Sequence, residues 1–138
     1  MIGSTPPRIL DASALLDVFA GNREIMQMLD DVDEDQLAAV VPTLALAEAQ
    51  AALASSRSHW EWIMGLRSLR SLPVTDDVAF AIGDIAAPRI RYHPVHTALI
   101  GPLMIAQVLY EAKLMNAVIM TRVPEAYGGH EVSIHTLE

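Results

Sequence analysis

Short aliphatic runs alternate with stretches of helical spacing along this chain, and that alternation restricts the fold more than any other feature. Ile9-Leu10, Ala38 to Val41, Ala117 to Thr121 and Val132 to Ile134 are strand-like segments bounded by turn residues. Leu72 to Thr75 also reads as extended. Around them, apolar side chains recur at helical spacing: Leu15, Val18 and Phe19; Ile25, Met28, Leu29 and Val32; the alanine-rich run from Thr43; Ser58 to Leu69; Ala79, Ile82 and Ala86; and Leu103, Ile105, Ala106, Leu109 and Ala112. Ala87-Pro88 is expected to end the fifth of these helices, Arg89 to Ile100 to form a loop, and Asn116 to end the sixth. Strands separated by helices predict an α/β fold: a doubly wound, mostly parallel sheet with helices on both faces.

The 138 residues suffice for one full hydrophobic core. A single domain over 1–138 is therefore expected, with 1–7 a loose lead-in that Pro6-Pro7 keeps extended. The chain has no cysteine, which excludes disulfides and thiolate metal sites; with no apolar leader in MIGSTPPR, a cytoplasmic location is expected. The uncharged run from His93 to Tyr110 contains Pro94, Gly101, Pro102 and Gln107, so it reads as a loop and a buried helix, and no membrane partner is expected. A formal charge of −8 opposes non-specific attraction to phosphate backbones. Any RNA contact must therefore use local arginines such as Arg57, Arg67 and Arg70, or Arg89 and Arg91.

Two carboxylates stand out. Asp11 follows the first strand and precedes the first helix, so it is either a plain N-cap or one wall of a site at the strand ends. Glu48 is the only charged residue between Asp35 and Arg57. In an apolar helix such a group must reach solvent, find a partner or bind a cation. His93 and His96 lie three apart, but Pro94 disfavours the regular helix that would let them share a metal. The acidic cluster Asp30 to Asp35 lacks the spacing of a calcium loop.

The segments LDASALLDVF, VVPTLALAEAQAAL and IMTRVPEAY, in that order and spacing, resemble the PIN domain, and within it the small VapC-type toxins. The resemblance spans Arg8 to Leu137. It implies a magnesium- or manganese-dependent ribonuclease fold in which three or four carboxylates converge at the C-terminal edge of the sheet, hold the cation and activate water. The first two acids fall on Asp11 and Glu48, with Ser13 as a hydroxyl that steadies the first. Aligned without gaps, the third and fourth fall on Ile105 and Val123, which carry no oxygen; Asp17, Glu125, His93 or His96 remain as substitutes.

The resemblance therefore implies a degenerate active site with no metal or only weak Mg or Mn binding at Asp11 and Glu48. The leading expectation is a nuclease-impaired binding or regulatory module; the alternative is a divergent endoribonuclease toxin of a toxin-antitoxin pair. The receiver domains of phosphorylation relays share the architecture, but here the first strand ends on one acid instead of two, and Lys113 falls in a helix. An antitoxin-like protein partner is implied, with RNA left open. A homodimer is expected through the helix bearing Trp60, Trp62, Met64, Leu66 and Leu69, whose apolar surface exceeds one buried stripe.

Overall fold

The computed structural model describes residues 6–34, 38–66, 69–92 and 101–138. Five strands, β1 (Arg8–Leu10), β2 (Ala39–Pro42), β3 (Arg70–Leu72), β4 (Val118–Thr121) and β5 (Ser133–Thr136), form one sheet in the order β3-β2-β1-β4-β5. Every pairing is parallel, with Ile9 opposite both Val40 and Ile119. The connections are α1 (Ala12–Ala20) with α2 (Arg23–Glu34), α3 (Thr43–Leu53) with α4 (Arg57–Leu66), and α5 (Asp76–Tyr92) with α6 (Pro102–Met115). The chain winds outward from β1 to β3 and then returns past β1 to β4. With helices in the connections between parallel strands, that reversal makes a doubly wound α/β sheet, as the alternation of segments predicts.

The central strands are buried on both faces, which is why they read as continuous aliphatic runs: Ile9, Leu10, Val41, Ile119 and Met120 are almost entirely removed from water. Leu15, Ile25, Leu29, Met104 and Leu109 complete the core. Each contributes roughly 1.5–3 kcal/mol by leaving water. Gly21 and Asn116, both in the left-handed region, terminate α1 and α6.

Four local expectations are corrected. The third strand is Arg70–Leu72 instead of Leu72 to Thr75, because Pro73 has no N–H with which to extend the ladder beside β2. The last strand is Ser133–Thr136, two residues beyond the expected end, where it pairs with Val118 to Thr121. The tryptophan helix starts at Arg57, its described residues run to Leu66, and Leu69 lies outside it, packed in the core as the chain enters β3. Helix α5 runs through Pro88 to Tyr92 instead of stopping at Ala87-Pro88. Pro88 and Asp84 are both exposed, so the carbonyl that the missing N–H leaves unpaired faces water. His93 and His96, with the rest of 93–100, lie outside the described residues, as does Asp35 of the acidic cluster.

Tertiary packing also sorts the tryptophans. Trp60 is buried, its ring 4.3 Å from that of Phe19 and its indole N–H donated to Gln50 Oε1, whereas Trp62 is 62% exposed. The apolar surface expected on α4 is thus smaller than its sequence implies, because Trp60 belongs to the interior; nothing is described of the Leu66 side chain.

Inside α6, Gln107 is wholly buried and stitches two elements together. Its amide oxygen accepts from Leu44 N at the start of α3, and its amide nitrogen donates to the carbonyl of Leu72 at the end of β3, at 2.9 and 3.0 Å. Glu111, one turn on, is also buried; desolvation lifts its carboxyl above the ordinary value, against a hydrogen bond from Gln107. A folded-state pKa above the unfolded one contributes stability below the unfolded value, and that contribution is lost as pH rises through the folded value. Glu111→Gln is therefore expected to be more stable than the parent at pH 7, with the gap closing as pH falls from the raised folded value towards about 4.5, the ordinary carboxyl value, and staying closed below it. Urea titrations across this window check the sign, and a gap independent of pH would assign the effect to packing.

Candidate functional site

The strand order reverses beside β1, so the crevice at the C-terminal ends of β1 and β4 is where an open α/β sheet offers a binding site. Asp11 leaves β1 directly into this crevice and is fully buried. Its backbone is extended, and its Oδ1 accepts from Ala14 N at 3.0 Å, the geometry of an N-cap on α1. The same oxygen accepts from Ser13 Oγ at 2.6 Å. Oδ2 accepts from the Tyr127 hydroxyl at 2.8 Å. Tyr127, itself buried, ends the 3-10 turn Pro124–Tyr127 that follows β4.

Ser13 links the acid to the neighbouring strand. Its Oγ lies 3.2 Å from Thr121 Oγ1 at the end of β4 and accepts from Arg122 N, while Thr121 Oγ1 accepts from Val123 N. Asp17, a candidate substitute acid, is committed elsewhere: Arg122 Nε donates to both its oxygens at 2.8 and 2.6 Å. An arginine so placed pairs with the Asp17 carboxylate in a charge-assisted contact.

Glu48 comes to the site from the second turn of α3. Both its oxygens accept from Gly101 N, at 2.9 and 3.1 Å, so this side chain caps the N-terminus of α6 across the tertiary structure. A Cβ at residue 101 would meet the same carboxylate, so a larger residue there would displace the Glu48 side chain from this position. Burial pushes the Glu48 carboxyl up, the Gly101 N–H opposes that shift, and the Asp11 charge adds to it. Burial likewise pushes the Tyr127 phenol far up, with the Asp11 and Glu48 charges acting in the same direction, so it remains a proton donor. Asp11, Glu48 and Tyr127 therefore share one electrostatic neighbourhood.

Ile105 and Val123 bring no oxygen to it. Ile105 is buried and lines a cleft of about 460 Å³ between α5, α6 and the 3-10 turn, with Glu125, Ala126 and His130. Val123 is half-buried and offers its backbone N–H to Thr121. Glu125 is exposed on that cleft instead of joining the hydrogen bonds of Asp11. Among the described residues no three His, Asp or Glu side chains are grouped to hold a metal. Magnesium wants near-octahedral oxygen ligation. Two carboxylates already engaged by Ser13, Ala14, Tyr127 and Gly101 do not fit that demand.

Tyr127, Thr121, Gly101 and Arg122 were not singled out from sequence. The available signal for Tyr127 was its rarity, since a buried phenol in a chain with 5% aromatics must find a partner. Gly101 was legible only as the residue before a proline at a helix start.

The five-stranded parallel sheet and its helices have the fold of the VapC-type PIN chains found in solved VapBC structures. The crystal structure of VapBC2 from Rickettsia felis bound to a DNA fragment from their promoter contains a chain matched at a TM-score of 0.67 and 13% identity, over 96% of this chain and 99% of that one. DNA-bound VapBC from Salmonella typhimurium matches at 0.65 and 14%, over 96% and 98%. FitAcB from Neisseria gonorrhoeae matches at 0.61 and 17%, over 94% and 96%. No family model matches the chain, and no curated protein matches it. At such low identity the likeness concerns the fold.

Proposed function

We propose that this protein is a VapC-like member of a toxin-antitoxin type of system whose metal site is incomplete, and that it works in the cytoplasm as a nuclease-impaired binding or regulatory module. The single observation that carries this reading is the state of Asp11: fully buried, with three protein donors on its two oxygens. Ile105 and Val123 add hydrocarbon where the resemblance to PIN domains expects carboxylates. Losing ligands lowers cation occupancy and the charge neutralisation that hydrolysis of a phosphodiester needs.

The structural neighbours are chains of toxin-antitoxin complexes, which favours an antitoxin-like protein partner for this chain as well. Self-association through α4 would use exposed Trp62 and half-buried Met64, since Trp60 belongs to the interior. Sedimentation showing only a 15 kDa species at micromolar concentration would remove that part.

The expected result with purified protein is RNA cleavage at background in magnesium or manganese, unchanged in Asp11→Asn and Glu48→Gln. Each tenfold in rate corresponds to ~1.4 kcal/mol of barrier, so several kcal/mol of lost stabilisation removes activity by orders of magnitude. The competing reading, a divergent Mg- or Mn-dependent endoribonuclease, draws on the electrostatic proximity of Asp11 and Glu48. Metal-dependent cleavage that both substitutions abolish would establish it.

A further inference from the structure

A fully buried carboxylate requires compensation, from a cation or from hydrogen-bond donors. Asp11 obtains it from donors. Ser13 Oγ and Ala14 N both point at Oδ1, and such bonds belong to any serine-bearing N-cap turn. The Tyr127 hydroxyl is different: it comes from a residue 116 positions away, approaches Oδ2 at 2.8 Å, and stands on the side of the carboxylate that the local turn leaves free. Its ring is 1% exposed, so neither donor nor acceptor is shared with bulk water. On the second acid, the Gly101 N–H plays the equivalent part, engaging both oxygens of Glu48.

We propose that Tyr127 is an internal substitute for a cation: its hydroxyl closes Asp11 Oδ2, so that cation binding must first break this hydrogen bond. The inference rests on the reading of the acidic edge as an incomplete metal site, and it adds a specific residue that keeps the site closed. Missing ligands alone would leave Asp11 open and weak. A buried donor makes it closed as well as weak, and the two effects separate on substitution.

Tyr127→Phe keeps the ring that fills the core and deletes only the donor. Asp11 Oδ2 is then desolvated and without the phenol, a situation that a divalent cation relieves. Calorimetric titration of the full chain with manganese chloride is the test. The expected result is weak binding by the parent and binding at least about tenfold tighter by Tyr127→Phe, equivalent to ~1.4 kcal/mol. That gain should vanish in the double variant Tyr127→Phe with Asp11→Asn, which places it at the acid. A folded Tyr127→Phe that binds manganese no more tightly than a weakly binding parent overturns the inference and leaves the incomplete-site reading standing. Tight binding by the parent overturns both. Should Tyr127→Phe fail to fold alone, recovery of its circular dichroism and a cooperative melt on adding manganese supports the inference, and no recovery overturns it.

Discussion

Asp11→Ala is expected to lower the stability of the fold by about 2–4 kcal/mol, with a fall in melting temperature of roughly 10 °C. The effect has identifiable parts. Loss of the N-cap on α1 costs about 1 kcal/mol. The Tyr127 hydroxyl, buried and deprived of its acceptor, costs about 1–3 kcal/mol more. The Ser13 hydroxyl keeps Thr121 as a neighbour and adds little. Asp11→Asn retains an oxygen for Ala14 N, and its amide nitrogen can donate to the phenol oxygen, so it should cost about 1–2 kcal/mol. The comparison bears on function because acids held for chemistry are often kept against stability, and their removal commonly stabilises the protein. Thermal and urea denaturation of both variants reads the sign; a more stable Asp11→Ala would mark Asp11 as a residue retained for binding or catalysis.

Gln107→Leu is the second large effect, about 2–4 kcal/mol of destabilisation with little change of side-chain volume. Gln107 serves one backbone donor and one backbone acceptor on different elements, and it is wholly buried, so leucine leaves both Leu44 N and the Leu72 carbonyl without that partner. Since Leu44 opens the helix that carries Glu48, the same change should loosen the start of α3. Amide hydrogen exchange is expected to show faster exchange at Leu44 than in the parent. Unaltered protection there, with stability within about 0.5 kcal/mol of the parent, would show that the junction of β2 and α3 is held by packing instead.

The architecture was legible because its signals are local and repeated. Ile9-Leu10, Ala39 to Val41 and Val118 to Met120 are strands whose two faces are both covered, so they read as unbroken aliphatic runs. The N-cap at Asp11 and the stop at Asn116 follow from φ/ψ preferences that a single residue expresses. Boundaries were less secure. Proline at 88 removes one N–H, but whether a helix survives that loss depends on whether the unpaired carbonyl meets water or protein, which neighbouring letters do not record.

Composition and periodicity by themselves determined an α/β doubly wound sheet, the strand-to-helix turn at which Asp11 stands, and the absence of carboxylates between Asp84 and Glu111. What only the tertiary structure decided is how those acids are used. Tyr127 reaches Asp11 across 116 positions, Glu48 meets the Gly101 N–H across 53, and Arg122 takes Asp17 across 105. The physical reason is that a carboxylate's role depends on which donors surround it and how much water reaches it. Chain crossings set both, whereas helical and strand periodicity is written within a few residues of each position.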